Sequence, residues 1–159
     1  FFSLTCGHCS NLHIKTLPQL KKKYIDTGKV QLVFIDYPLD RLAVIAATLA
    51  RSIPTKDGYV EAVSILLKKQ KQWAYSKNPL NELQSIAKLF GISSKKFNDI
   101  SQNIPLMQEI VTKMEKESKN FDINSTPTFI VNDKYKISGA LSFKDFEKEL
   151  LKSINAKKS

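Results

Sequence analysis

At 159 residues, about 42% of them hydrophobic, the chain can bury a core within one domain and is too apolar to be disordered. Its net charge is +10, with 25 Lys and Arg against 15 Asp and Glu, and Arg41 and Arg51 are its only arginines. A solvated, Lys-rich surface accounts for this charge; no aromatic-basic stripe marks a nucleic-acid binder, and an anionic membrane surface or acidic partners are the alternatives.

Two cysteines, Cys6 and Cys9, are too few for a disulfide framework. No apolar run approaches the roughly 20 residues that span a bilayer. No signal peptide is visible and no Met begins the chain. The opening Phe1–Leu4 reads as the second half of a strand, so a preceding segment is expected to be missing.

A helix is expected from Cys6 or His8 to Ile25, with Leu12, Leu17, Leu20 and Tyr24 on its apolar side. Pro18 should kink it and Gly28 should end it. The continuous apolar run VQLVFIDYP, residues 30–38, reads as a strand covered on both faces. Together these give a strand–helix–strand crossover.

From Leu39 to Asn120 the pattern is helical. Stripes run through Leu42, Ile45, Ala46 and Leu49; Val60, Val63 and Leu67; Leu83, Ile86, Ala87 and Phe90; and Met107, Ile110, Val111 and Met114. Pro54, Gly58, Asn78-Pro79, Gly91 and Pro105 punctuate them. The chain then returns to sheet in PTFIVN and YKISG, joined by Asn132-Asp133-Lys134 as a hairpin connection. A last helix begins near the cap Ser142 and buries Phe143, Phe146, Leu150 and Ile154, and the tail AKKS is expected to fray. The order is β-α-β, then helices, then β-β-α.

The chemistry concentrates in TCGHC. At a strand-to-helix junction, Cys6 would meet the unpaired N–H groups and positive end of the helix dipole, which favour a thiolate. Cys9, one turn on, is close enough for a disulfide and less exposed. Cys6 is then the exposed nucleophile, Cys9 the resolving sulfur, and His8 a group that stabilises the thiolate by charge or hydrogen bond. Gly7 keeps the approach open. An inert disulfide across so short a loop would stabilise little. A zinc site could use Cys6, Cys9, and His8 or His13 with an outside carboxylate, but no second ligand pair is present. His13 is expected to be a helix-surface or half-buried residue without catalytic duty. In NSTPTFIVN, Pro127 opens a strand, and an X-Pro bond is ordinarily trans.

FFSLTCGHC, STPTFIVN and the helical block between them resemble the DsbA-like thiol:disulfide oxidoreductases over essentially the whole chain. The resemblance implies a thioredoxin-like α/β fold with its first strand truncated. Residues 1–38 and 121–159 would form the thioredoxin-like domain and 39–120 an all-helical insertion. It also implies a cis Thr126–Pro127 loop that binds substrate backbone, with Cys6, Cys9 and His8 as the catalytic group and no cofactor beyond the Cys6–Cys9 disulfide. Substrates would be reduced, unfolded exported proteins. A DsbB-type quinone-linked membrane protein would be the reoxidant, the compartment would be the periplasm, and the protein would be a monomer with no nucleic-acid partner.

Two departures bear on direction. Gly7-His8 replaces the Pro-His common in DsbA and matches protein disulfide isomerases, and Thr126 stands where DsbA often has Val. The acid that family members bury near the resolving cysteine would fall just before Phe1. An isomerase or reductase of the same fold is therefore the alternative, and a zinc-binding or chaperone-like module the alternative from another class. The insertion would either only fill core or form an apolar groove beside Cys6, with Trp73 and Tyr75 assigned to neither role.

Overall fold

A computed structural model describes residues 1–156; the rest of the AKKS tail lies outside the described residues. The first helical segment is broken rather than simply kinked. Helix α1 (Gly7–Lys15) stops at Thr16, whose hydroxyl donates to the Leu141 carbonyl at 2.8 Å. Helix α2 (Leu17–Leu20) carries Pro18 in its first turn, where the missing N–H costs no helical bond. A π-helical turn, Lys21–Ile25, follows, and Gly28 ends the segment at φ 71°.

Residues 30–38 do not form the expected strand. Only Asp36 bridges, in parallel, to Phe2, through Phe2 N–H to Ile35 O at 3.1 Å and Tyr37 N–H to Phe2 O at 2.7 Å. Away from that bridge the Val30 N–H donates to the Tyr24 carbonyl at 3.0 Å, and residues 31–34 join no strand ladder among the described residues. The expectation of two covered faces fails with the ladder, and Val33 is 64% exposed. A cleft of about 680 Å³ opens beside this stretch, between Leu32, Leu20, Phe129 and Phe146.

On its other side the opening residue joins the C-terminal hairpin. Phe1 N donates to Thr128 O at 2.8 Å, and Thr128 N–H donates to Phe1 O at 3.1 Å. Strands β1 (Thr128–Val131) and β2 (Tyr135–Ser138) pair antiparallel, Thr128 opposite Ser138 and Val131 opposite Tyr135. Asn132 and Asp133 take the positive φ that the tight connection requires. The spatial order is thus residue 36, residue 2, β1, β2. Helix α9 (Phe143–Asn155) is capped by the Ser142 hydroxyl and packs Phe146 and Leu150 under the hairpin with Leu20 and Tyr24.

The middle of the chain is helical, in α3 (Arg41–Arg51), α4 (Gly58–Lys68), α5 (Gln70–Trp73), α6 (Pro79–Lys88), α7 (Ser94–Ser101) and α8 (Ile104–Asn120). Asp40, Ser93 and Asn103 each accept a backbone N–H of the first turn as caps. Most stripe residues are buried, but Val60 is half exposed, and Ile110 is the one fully buried residue of α8. The insertion shares a core with the start of the chain: Phe2, Leu4, Cys6 and Cys9 cluster with Leu49, Leu66 and Trp73. Among the described residues no helix is long and apolar enough to cross a membrane.

Candidate active site

Cys6 is the N-cap of α1. Its backbone is extended (φ −81°, ψ 116°), and its sulfur accepts the Cys9 N–H at 3.3 Å, the position a Ser or Asp oxygen takes in an ordinary cap. The sequence permits this because Gly7 and the residues after it continue as helix while Ser3, whose carbonyl accepts the Cys6 N–H, closes the turn before it. Both cysteines are free thiols.

The Thr126–Pro127 peptide is cis, and this loop lies against the sulfurs. The Cys6 thiol stands 3.6 Å from the Thr126 carbonyl oxygen, which it meets as a donor. Pro127 is buried, and its carbonyl accepts the Gly139 N–H at 2.9 Å, which ties the loop to β2.

The two thiols are driven apart in acidity. A hydrogen bond from the Cys9 thiol is the largest effect on Cys6, and the Thr126 side chain and the N–H groups of Cys9 and His8 add to it. They outweigh burial and lower the Cys6 pKa from 9.0 to about 5. Cys9 is pushed upward, first because its proton is held by the Cys6 sulfur and second by burial. A thiolate at the mouth of the helix beside a protonated partner is the result.

Exposure differs from expectation. Cys6 is 7% exposed, not open, and Cys9 2%. The sulfur that caps the helix must turn inward onto the Cys9 N–H, and the Thr126 carbonyl covers it from the other side. Cys6 still lies nearer the surface than Cys9, and its neighbours Gly7 and His8 are exposed. The His8 imidazole makes no polar contact with Cys6; its backbone N–H does. His13 is buried at 8% exposure, its Nε2 3.0 Å from the Ser64 hydroxyl, so it is neither a surface residue nor turned toward the sulfurs. Among the described residues no three His, Cys, Asp or Glu side chains converge as metal ligands.

One contributor has no signal in the sequence. Gln70, 2% exposed, reaches from α5 and donates through Nε2 to the carbonyls of Leu4 at 2.7 Å and Cys6 at 2.9 Å. It ties the insertion to both sides of the catalytic turn. Nothing in the run KKQKQW distinguishes this glutamine from its solvated neighbour Gln72.

Residues 1–152 match the family model described as Thioredoxin. Proteins of Rickettsia typhi and Rickettsia conorii whose names carry the words protein-disulfide oxidoreductase are 32% and 33% identical over 132 residues, 83% of this chain. The chain spans about half the length of these curated relatives, 49% and 48%. The crystal structure of Wolbachia pipientis alpha-DsbA1 superposes with a TM-score of 0.83 at 30% identity, over 94% of this chain and 81% of that one. BdbD from Bacillus subtilis shares the fold at a TM-score of 0.72 and 21% identity, over 98% of this chain and 85% of that one. The chain belongs to the DsbA-like family of thioredoxin-fold proteins.

Proposed function

We propose that this protein is a thiol:disulfide oxidoreductase of DsbA type that introduces disulfides into reduced, unfolded exported proteins. The observation that carries the reading is the split between the sulfurs, Cys6 held as thiolate at a helix N-terminus and Cys9 held as thiol behind it. In the disulfide form a substrate thiolate attacks the Cys6 sulfur, the Cys6–Cys9 bond breaks, and Cys9 leaves and takes up a proton, which its raised pKa favours. The substrate's second thiolate then attacks its own sulfur in the mixed disulfide and releases Cys6 as a thiolate. The substrate gains a disulfide and the protein takes its two electrons. Stabilising the released thiolate pulls the exchange toward the reduced protein, and therefore toward oxidation of the substrate.

In this reading Cys6 is the nucleophile and Cys9 the resolving cysteine. His8 contributes through its backbone N–H at the helix start, Gly7 leaves the face open, and Thr126-Pro127 presents backbone to an extended substrate. No cofactor takes part. Residues 1–38 and 121–159 act as the redox domain and 39–120 as its helical insertion. The protein works as a monomer in the periplasm, and a DsbB-type quinone-linked membrane protein reoxidises it.

Equilibration in glutathione buffers tests the reading. The dithiol form should persist under mildly oxidising glutathione ratios, and Cys6→Ala should abolish oxidation of a peptide dithiol. A disulfide that survives strongly reducing buffer would instead place the protein outside the oxidants.

A further inference from the structure

Trp73 ends α5 and Tyr75 lies two residues beyond it, yet they do opposite things. Trp73 is fully buried, and its Nε1 donates to the Leu66 carbonyl at 2.8 Å. Tyr75 is 68% exposed. Its hydroxyl lies against the catalytic turn, where a Cβ placed on Gly7 would come within 3.8 Å of it. Among the described residues that hydroxyl has no hydrogen-bond partner.

The segment that carries Tyr75 is anchored to the active site. Gln70 holds the Leu4 and Cys6 carbonyls, Trp73 fixes the next turn in the core, and the Ser76 N–H closes back on the Trp73 carbonyl at 3.3 Å. Residues 70–76 therefore keep a set position relative to Cys6. The Thr126-Pro127 loop contacts the Cys6 sulfur, and Gly7 puts no side chain beside Tyr75. Next to the turn that carries Cys6 there is thus an exposed aromatic ring on an anchored segment. Such a ring offers large contact area at small entropic cost.

We propose that Tyr75 is a specificity-determining residue, which packs its ring on an aromatic or large apolar side chain next to the reacting cysteine of the substrate. The preferred substrates are then reduced chains in which a core-forming residue neighbours the cysteine, a sequence context that folding later buries. This rests on the oxidoreductase reading above and adds a substrate preference to it.

Two peptide dithiols test it, identical except for Phe or Ser next to the attacking cysteine, each oxidised by the disulfide form of the protein. The wild-type protein should favour the Phe peptide by roughly five- to tenfold in kcat/KM, the worth of one aromatic contact. Tyr75→Ser should reduce that ratio to within about twofold, and Tyr75→Phe should keep it. The Cys6 titration midpoint of Tyr75→Ser should match the wild type, which separates lost contact from a damaged turn. A wild-type ratio near one, or a ratio that Tyr75→Ser leaves unchanged, overturns the assignment while the oxidoreductase reading stands. Failure of the wild-type protein to oxidise either peptide overturns both.

Discussion

Replacing Gln70 with Met isolates the link between the insertion and the catalytic turn. The two side chains have similar volume, so the change removes two hydrogen bonds without opening a large cavity. The Leu4 carbonyl, bonded by Gln70 at 2.7 Å, would be left as a buried acceptor at a cost of about 1–3 kcal/mol. The Cys6 carbonyl also accepts the Ser10 N–H at 3.1 Å, so its loss is nearer 1 kcal/mol. Gln70→Met should therefore destabilise the reduced protein by about 2–4 kcal/mol, read as a shift in urea midpoint at unchanged slope. The Cys6 pKa should rise from about 5 in the same variant, because the carbonyls that fix the cap on both sides of the turn are freed. A loss below about 1 kcal/mol with an unmoved Cys6 titration would refute the view that α5 positions the redox turn.

Four further predictions follow from the same geometry. The Cys6 pKa, lowered from 9.0 to about 5 on folding, makes a contribution to the reduced protein that is complete above pH 9 and lost as pH falls through 5; the stability of the reduced form relative to the disulfide form should fall as pH falls over that range, measured by thermal melts of both. His13, lowered to about 4 by burial and the nearby Lys68, destabilises both forms as pH falls from 6.5 to 4, and the difference between the forms removes its effect. Arg51→Met should cost about 3–5 kcal/mol in urea unfolding, because it strands the Asp36 carboxylate, 6% exposed and bonded by Arg51 Nε at 2.7 Å, with only the Tyr59 hydroxyl at 3.1 Å. Cys9→Ser leaves the Cys6 thiolate able to attack the disulfide of an oxidised substrate, releasing one substrate sulfur as a thiolate, with no second protein thiol to resolve the product; Cys6–substrate mixed disulfides should accumulate, visible on non-reducing gels and removed by dithiothreitol.

The parts of the site that were legible in the sequence are those fixed by local chemistry. A Cys-x-x-Cys pair before an amphipathic run places one sulfur at a helix start and the other a turn later, and a proline at the head of PTFIVN marks a strand opening. The helix cap at Ser142 and the hairpin at Asn132-Asp133 carry their signals in single residues. What escaped depends on long-range contacts. The break at Thr16 is set by a carbonyl 125 residues away, and the role of Gln70 by carbonyls more than 60 residues earlier. The run at 30–38 has the composition of a strand, but a strand also needs a neighbour, and composition says nothing of that. The opposite fates of Trp73 and Tyr75 follow from a two-residue offset on a short helix end, where periodicity is too brief to assign a face.

The most direct measurement is the Cys6 thiolate titration, followed by ultraviolet thiolate absorbance in the reduced protein, with Cys6→Ala, which should remove the low-pH thiolate, as the assignment control. One thiolate should appear with a midpoint near pH 5 while Cys9 stays protonated through neutral pH. A first midpoint close to 9, the value of an unperturbed thiol, would mean that the helix start and the Thr126-Pro127 loop do not hold an anion, and the proposed direction of electron flow would lose its physical basis.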